Sequence, residues 1–222
     1  MSKRKSDEAY GELRRRIIMA EMPPGALLDE KALTLSLGIG RTPLREAVLR
    51  LAQEGLVTGM GRRGYVVASA TPADMMRAYE LRRELECFSA GLAAERRGTE
   101  DIARFDAFLA RIEAEMALHL DNIVWQLAAD EEFHHIIARA SGNDFAARYL
   151  DYLYGLSVRS LYVSGVPVTL VQDEIDVYRL VLTAIRMRDA PAARAAMAKH
   201  LTLSPMQAMA TGYAGVLQRQ TG

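Results

Sequence analysis

Apolar residues recur at helical spacing through most of the chain, and only one short region alternates like a strand pair. In the first helix, predicted over residues 6–20, the inward positions are Tyr10, Leu13, Ile17 and Ala20. Pro23 and Pro24 end that helix because proline cannot continue the backbone hydrogen bonding. A second, short helix is predicted to begin near Asp29 and to carry Leu33 and Leu37 on its inner face.

The third predicted helix has the clearest local signals. Thr42 is expected to cap its free N–H groups, and Pro43 suits the first helical position because the N–H that it lacks would be unpaired there. Its apolar face has residues at i, i+3, i+4 and i+7, namely Leu44, Ala47, Val48 and Leu51. Glu46 and Arg50 are four residues apart and are expected to form an ion pair.

Two short strands are predicted after this helix, which Gly55 ends. They cover residues 56–58 and 65–67, which are rich in β-branched and aromatic side chains. Between them lies a glycine-rich basic tip containing Arg62, Arg63 and Gly64. Three helices followed by such a hairpin are typical of a winged helix-turn-helix.

A domain boundary is predicted at Thr71-Pro72, where Thr71 is expected to cap a new helix. No strand pattern occurs after it. The fold is therefore predicted to be mainly α, with a winged helix-turn-helix in residues 1–70 and an all-α six-helix bundle in residues 71–222. The six helices are predicted over residues 72–97, 100–119, 121–141, 144–164, 169–188 and 190–214.

Composition excludes several classes of protein. No apolar run approaches the roughly 20 residues of a membrane span, and the charged first residues do not resemble a secretory signal. Cys87 is the one cysteine, which suits a reducing cytoplasm, and its apolar surroundings indicate a packed residue. Formal net charge is zero, but residues 1–70 carry +4 and the remainder −4. Only the first part is therefore expected to meet phosphates.

Basic residues occur where a winged helix contacts DNA. Arg41 and Arg45 are one turn apart at the start of the third helix, and arginine can donate two parallel hydrogen bonds to guanine. Thr42 is placed to contact a phosphate or a base, Lys31 a phosphate, and Arg62 with Arg63 the backbone or minor groove. Each arginine taken singly could instead belong to a solvated surface, and it is their order along the chain that favours DNA binding.

These residues also carry a family resemblance. The stretches 41–47, 54–57 and 62–67, together with the turn at Pro24-Gly25, resemble the winged-helix domain of GntR-type bacterial repressors. The resemblance spans residues 8–68. It implies a homodimer that binds a short palindromic operator, with the DNA contacted by Lys31, Arg41, Thr42, Arg45, Arg62, Arg63 and Gly64.

A candidate metal site occurs in the second domain. Asp130 and His134 are four residues apart on one predicted helix, and His200 lies on the last one. Such residues can bind a divalent ion if they converge, although the same spacing is common on solvated helix faces. His135 points about 100° away from His134 and is expected to lie outside the site.

The second domain resembles the all-helical effector domain of the FadR subgroup, called the FCD domain. The resemblance rests on residues 130–134, on Ser141-Gly142-Asn143, and on segments near both ends of residues 72–205. It implies that one Asp and three His hold a zinc-, nickel- or manganese-class ion beside a carboxylate effector. Asp130, His134 and His200 match three of these ligands.

Tyr178 stands where the resemblance requires the remaining histidine. A neutral tyrosine is a poor ligand for a divalent ion, since ionising it opposes a reference pKa near about 10. Three outcomes stay open: a three-ligand metal site, a site helped by Glu174, or a metal-free site in which Tyr178 donates a hydrogen bond to the effector. Arg82 matches a basic residue near the effector in this subgroup, and its alternative role is a surface pair with Glu86.

The favoured function is a ligand-responsive bacterial transcriptional regulator, a repressor acting as a cytoplasmic homodimer, and not an enzyme. Its effector would be a small organic acid bound by Arg82, Asp130, His134, Tyr178 and His200. Two alternatives remain: a constitutive DNA-binding protein without an effector, and a metal-dependent enzyme built on the helical domain. No catalytic motif supports the second alternative.

Overall fold

The computed structural model describes residues 2–69, 72–164 and 172–203, and it is mainly helical. Its contacts divide the chain into two compact units, Met1–Asp74 with Gly155–Gly165, and Met75–Tyr154 with Val166–Gly222. Thr71, predicted as a helix cap, lies outside the described residues, as do the predicted helical positions 169–171 and 204–214. No helix in the described ranges is both long and apolar enough to cross a membrane.

The winged-helix region, residues 2–69, contains three α-helices and a β-hairpin, as predicted. The elements are α1 (Ser2–Ile18), α2 (Glu30–Leu37), α3 (Arg41–Gln53), β1 (Val57–Gly59) and β2 (Tyr65–Val67). The first helix begins and ends earlier than predicted. Ala20 has a left-handed backbone with φ of 54°, so it cannot continue the helix as its apolar spacing suggested.

The core of this region lies between α1 and α3. The predicted apolar face of α3 is buried throughout, and Leu13 and Ile17 of α1 pack into the same cluster. Leu33 of α2 and Val57 and Val67 of the hairpin complete it. This packing fixes which side of α3 stays exposed, because a helix that buries one stripe must present the opposite one to solvent.

Two details of α3 were predicted wrongly. The helix begins at Arg41 with Gly40 as its N-cap residue, and no side chain caps it, so Thr42 lies inside the first turn. Arg50 forms its ion pair with Asp7 of α1, with Nη1 2.6 Å from the carboxylate, rather than with Glu46. Its guanidinium also covers the ring of Tyr10. Packing of α1 on α3 offers Arg50 these partners, which helical spacing alone cannot reveal.

The hairpin forms the predicted wing. Strands β1 and β2 are antiparallel, with Val57 opposite Val67 and Gly59 opposite Tyr65. A 3-10 turn at Gly61–Arg63 joins them, and Met60 N–H donates to the carbonyl of Gly64 at 2.7 Å. Gly61 and Gly64 have φ of 60° and 89°, values that favour glycine.

The rest of the described chain is all-α with six α-helices, as predicted. They are α4 (Pro72–Arg96), α5 (Thr99–Glu115), α6 (Ile123–Ala140), α7 (Asp144–Ser164), α8 (Gln172–Arg186) and α9 (Ala190–Leu203). Helix α5 ends before the predicted residue 119, because a 3-10 turn at Met116–Leu118 follows it. Asn122 caps α6 by accepting a hydrogen bond from Trp125 N–H at 3.1 Å.

The core of this helical region joins α4, α5, α6, α8 and α9. Aromatic residues fill its centre: Phe133 stacks on Tyr178 with ring centroids 4.1 Å apart, and Phe108 contacts both rings. Helix α8 packs mainly on α9, through Val181, Ile185 and Met197 among others. One side of this aromatic centre touches His134 and His200. The apolar core thus leads directly to a group of buried polar side chains.

Candidate functional sites

The start of α3 presents the predicted DNA-reading side chains to solvent. Arg41, Thr42 and Arg45 are all exposed there, opposite the buried apolar face. Because no side chain caps this helix end, its first N–H groups also add positive partial charge at the same place. The fold therefore leaves the N-terminal end of α3 accessible to an anionic partner.

The arginines of the winged-helix region divide into two groups. Most pair with carboxylates of the same region: Arg4 with Glu8, Arg14 with Glu54, Arg15 with Glu12 and Glu21, Arg16 with Glu12, Arg45 with Glu30, and Arg50 with Asp7. Within the described part of the chain, Arg41, Arg62 and Arg63 form no ion pair. Lys31, exposed on α2, likewise forms none with any described residue. Four of the five predicted DNA-contacting cations thus have no carboxylate partner among the described residues.

Arg45 is the exception among the predicted DNA-contacting residues. Its Nε lies 3.1 and 3.3 Å from the two carboxylate oxygens of Glu30, and its Nη2 lies 3.1 Å from one of them. This pair brings the start of α2 against the start of α3. Glu30 was not predicted as a partner of Arg45, because the two residues are 15 positions apart in the sequence.

The second site is a cluster of buried polar groups on α6, α8 and α9. The predicted ligands Asp130, His134 and His200 converge, with their candidate ligand atoms all within 4.8 Å of one another. The Nε2 atoms of the two histidines lie 3.1 Å apart, and Asp130 Oδ1 lies 3.6 Å from the first and 3.5 Å from the second. Both imidazoles are buried.

Two tyrosines hold the carboxylate of Asp130 in place. Tyr178, fully buried on α8, donates its hydroxyl hydrogen to Asp130 Oδ1 at 3.1 Å. The hydroxyl of Tyr154 on α7 donates to two acceptors, the carbonyl of Leu127 at 2.8 Å and Asp130 Oδ2 at 3.0 Å. Tyr154 was not predicted as a site residue, since nothing in the spacing of α7 indicates that its hydroxyl contacts Asp130.

A fully buried ion pair extends the cluster along α4. Arg82 Nε donates to Glu86 Oε1 at 3.2 Å, and both side chains have no exposed surface. Glu86 Oε1 in turn lies 2.9 Å from Nδ1 of His134. The guanidinium of Arg82 also lies 4.7 Å from the centroid of the Tyr154 ring. Arg82 therefore pairs with Glu86 as its alternative role proposed, but in the interior rather than on the surface.

Burial and neighbouring charges shift the pKa values in opposite directions within this cluster. Burial raises the pKa of Asp130, but the adjacent His134 and His200 outweigh it and hold that pKa well below its usual range. Burial lowers the pKa of His134, yet the carboxylates of Glu86 and Asp130 leave it above the usual value. For His200, burial dominates and lowers the pKa. The pKa values of the two neighbouring histidines are thus shifted in opposite directions.

The chemistry of these groups fits a metal ion. With metal–ligand bonds of about 2.1 Å, two ligands of one ion lie roughly 3.0–3.4 Å apart, close to the separations among the three candidate ligand atoms. Nδ1 of His200 has no hydrogen-bond partner among the described residues, so the ring is held by packing rather than by a second carboxylate. His135 lies outside the cluster, with Nδ1 3.1 Å from Asp151, and the side chain of Glu174 falls outside the described residues.

Two family models match the chain. The model for bacterial regulatory proteins of the gntR family covers residues 5–67, and the FCD domain model covers residues 77–203. The second match alone spans more than half of the chain. The first contains α3 and the wing, and the second contains every residue of the buried cluster.

Known proteins agree with both matches. The HTH-type transcriptional repressor GlaR of Escherichia coli is 27% identical over 94% of this chain and 97% of its own length. An HTH-type transcriptional regulator of Streptomyces ambofaciens is 30% identical over 87% of this chain and 80% of its own. Among solved structures, E. coli McbR/YncC shares the fold, with a TM-score of 0.74 at 20% identity over 98% of this chain and 99% of that one. Regulation of transcription, rather than catalysis, is common to the family and these relatives, and the chain belongs to the GntR family of bacterial transcriptional regulators, with an FCD effector-binding domain.

Proposed function

We propose that this regulator represses transcription from a palindromic operator in the bacterial cytoplasm, binding it as a homodimer through residues 1–70. A small carboxylate bound in residues 71–222 would control its affinity for DNA. The observation that carries the first part is the division of charges in the winged-helix region. Arg41, Arg62 and Arg63 have no carboxylate partner among described residues, whereas the arginines of α1 are paired.

Phosphates and bases can bind exposed, unpaired cations without first breaking an ion pair of the free protein, so these contacts cost the least free energy. Binding DNA with Arg41 or Lys31 breaks no ion pair of the free protein that involves a described residue. At Arg15, by contrast, a phosphate would have to compete with Glu12 and Glu21, whose oxygens lie 3.0 and 2.6 Å away. We therefore assign a base contact to Arg41, and backbone or minor-groove contacts to Lys31, Arg62 and Arg63. By their positions at the start of α3 and on the wing, Thr42 and Arg45 are also assigned to bases and Gly64 to the backbone or minor groove.

A selection from a random duplex library with the full chain tests this assignment. The wild-type protein should enrich an inverted repeat, and fluorescence anisotropy then gives its affinity for that duplex. Arg41→Ala should weaken binding about 5- to 150-fold, the range expected when a two-bond contact to guanine is lost. Arg15→Ala removes the same charge from a paired residue and should change the affinity far less. Equal losses in the two variants would contradict the assignment.

For the effector, we propose the buried cluster of the helical region as its site. Asp130 Oδ1 and the Nε2 atoms of His134 and His200 would hold a divalent ion, whose charge would attract the carboxylate of the effector. The hydroxyl of Tyr178 would donate a hydrogen bond to the liganding carboxylate and thereby fix its orientation. Arg82 would supply further positive charge, although its pair with Glu86 must first rearrange for a direct contact.

A metal-free version of this site has support in the same geometry. Tyr178 already uses its hydroxyl on Asp130, and a protonated imidazole of His134, together with the guanidinium of Arg82, would balance the two carboxylates of Asp130 and Glu86. Elemental analysis of the purified protein separates the two versions. His134→Ala should lose any bound metal, while His135→Ala should retain it, because His135 lies beside Asp151 instead. Metal kept by His134→Ala would refute the ligand set.

The effector itself is sought with a thermal-shift screen of small organic acids. A ligand present at 100 times its Kd stabilises the native state by about 2.7 kcal/mol, which is a readily measured rise in Tm. An acid that raises Tm should also change the affinity for the selected duplex, because an effector acts through its differential affinity for two states. If no acid does either, the constitutive DNA-binding alternative is favoured. Sedimentation equilibrium of the free protein tests the dimer.

A further inference from the structure

Glu30 is the one carboxylate that contacts a proposed base-reading arginine among the described residues. It is the first residue of α2, partly exposed, and its oxygens lie 3.1–3.3 Å from Nε and Nη2 of Arg45. Asp29, not Glu30, caps the helix, since the Asp29 side chain accepts hydrogen bonds from the N–H groups of Lys31 and Ala32. The Glu30 carboxylate is therefore not needed to satisfy its own helix.

The ion pair uses one edge of the Arg45 guanidinium and leaves another free. Glu30 takes the edge formed by Nε and Nη2, while Nη1 has no hydrogen-bond partner within the described ranges. The terminal edge, with one N–H from Nη1 and one from Nη2, is the edge that can donate two parallel hydrogen bonds to O6 and N7 of guanine. A single arginine can thus bind Glu30 and a guanine together.

We propose that Glu30 is a positioning residue for base recognition, which holds the Arg45 guanidinium so that its terminal edge reads one guanine in each half of the operator. This rests on the proposed function. A free arginine has several rotatable bonds and can turn to a phosphate as readily as to a base. The contact of Glu30 with Nε and Nη2 restricts the orientation of the Arg45 guanidinium. The cost is a negative charge near the DNA backbone, so Glu30 lowers affinity for DNA in general while raising discrimination between sequences.

The test compares base preferences, which a merely electrostatic role would not alter. Library selections with wild type and Arg45→Ala identify the base pair whose preference depends on Arg45. At that base pair, Glu30→Gln should reduce the discrimination between guanine and the other bases at least about fivefold, within the range for one two-bond contact. Preferences that depend on Arg41 should be unchanged.

Two further variants separate position from charge. Glu46→Gln is the matched control, since it removes one negative charge from the exposed face of α3 without breaking an ion pair among the described residues. It should tighten binding to all duplexes alike and leave every preference intact. Glu30→Asp keeps the charge and shortens the side chain by one methylene, so it should also lose discrimination at the Arg45 position. Circular dichroism and Tm report whether either Glu30 variant has lost its fold.

The outcomes distinguish this inference from the proposed function. If Glu30→Gln and Glu30→Asp both keep the guanine preference that Arg45→Ala loses, Glu30 does not position Arg45. If Glu30→Gln behaves as Glu46→Gln does, its effect is charge alone and the inference is again refuted. If wild type enriches no sequence, the proposed function fails first. Should Glu30→Gln not fold, Glu30→Asp still decides, because it keeps the acid at the first turn of α2.

Discussion

Arginine serves opposite purposes in the two parts of this molecule. In the winged-helix region Arg41, Arg62 and Arg63 are exposed, and no described carboxylate offsets their charge. In the helical region Arg82 is fully buried and paired with an equally buried Glu86. Water solvates the first group, so its charge is available to a partner at little cost. Arg82 has lost that solvation, and the ion pair with Glu86 stabilises its charge instead. That charge is therefore not available to a partner unless the pair rearranges.

The comparison implies that the same substitution has different consequences in the two places. Removing an exposed arginine should change what the protein binds and leave its stability almost unaltered. Removing the buried one should change stability first, because it leaves a carboxylate without its partner in the interior.

Arg82→Met should destabilise the helical region by about 3–5 kcal/mol, since Glu86 is then buried without its guanidinium partner. Urea unfolding followed by the fluorescence of Trp125, the one tryptophan, reports on this region specifically. The adjacent Arg83 is exposed, and Arg83→Met should cost less than about 0.5 kcal/mol. If both variants lose a similar free energy of unfolding, the buried and the exposed arginine do not differ in their contribution to stability, which would contradict the comparison.

Tyr178→His should tighten binding of zinc or nickel by roughly tenfold or more, because it adds a ring nitrogen beside Asp130 and completes a four-ligand site. The wild-type hydroxyl lies 3.1 Å from Asp130 Oδ1, so the position is within reach. Competition against a chromophoric chelator measures the affinity. Tyr149→His, on the exposed side of α7, is the control and should leave it unchanged. No gain at position 178 would mean that the cluster is organised for hydrogen bonding alone.

Arg62→Ala and Arg63→Ala should each reduce the dependence of DNA affinity on salt, by about 0.9 in the slope of log K against log salt concentration. The measurement is a series of anisotropy titrations between low and moderate salt. Arg104→Ala on α5 removes an arginine that pairs with Glu100 and Asp101, and its slope should equal that of wild type. A wing without effect on the slope would exclude it from the phosphate contacts.

The smallest effect concerns Glu12, the carboxylate of α1 that pairs with Arg15 and Arg16. Hydrogen bonds from Arg15 and Arg16 lower the pKa of Glu12 to about 2. A lowered carboxylate pKa stabilises the native state above the usual value of 4.5, and this stabilisation is lost as pH falls toward 2. Glu12→Gln should therefore cost under about 1 kcal/mol at pH 6, and the difference from wild type should vanish near pH 2. Urea unfolding at several pH values, followed by circular dichroism, measures it.

The features best predicted from the sequence were those that depend on residues close together along the chain. The apolar face of α3 was predicted residue by residue, because Leu44, Ala47, Val48 and Leu51 lie within two helical turns. The hairpin was predicted from its β-branched strands and glycine-rich tip. The start of α3 was missed by two residues, since Thr42 was predicted as the cap and Pro43 as the first helical residue, whereas Gly40 caps the helix without any side-chain signal.

Pairs between elements could not be predicted in this way. Arg50 was assigned to Glu46 on the same helix, whereas α1 brings Asp7 within 2.6 Å. Glu30 meets Arg45 only because tertiary packing brings α2 against α3. The convergence of Asp130, His134 and His200 was expected from the family resemblance, and spacing alone supported only the first two residues. No pattern in the sequence predicted that Tyr154 would contact Asp130.

The sequence by itself determined the helices, the wing and the chemistry available at each position. These follow from local spacing, from glycine and proline, and from side-chain type, all of which act over a few residues. Tertiary structure alone decided which charged side chains form ion pairs within the protein. It buried Arg82 against Glu86, paired Arg45 with Glu30, and left Arg41 exposed without a carboxylate among the described residues. The physical reason is that solvation and ion pairing depend on distances across the fold, which packing sets and spacing along the chain does not.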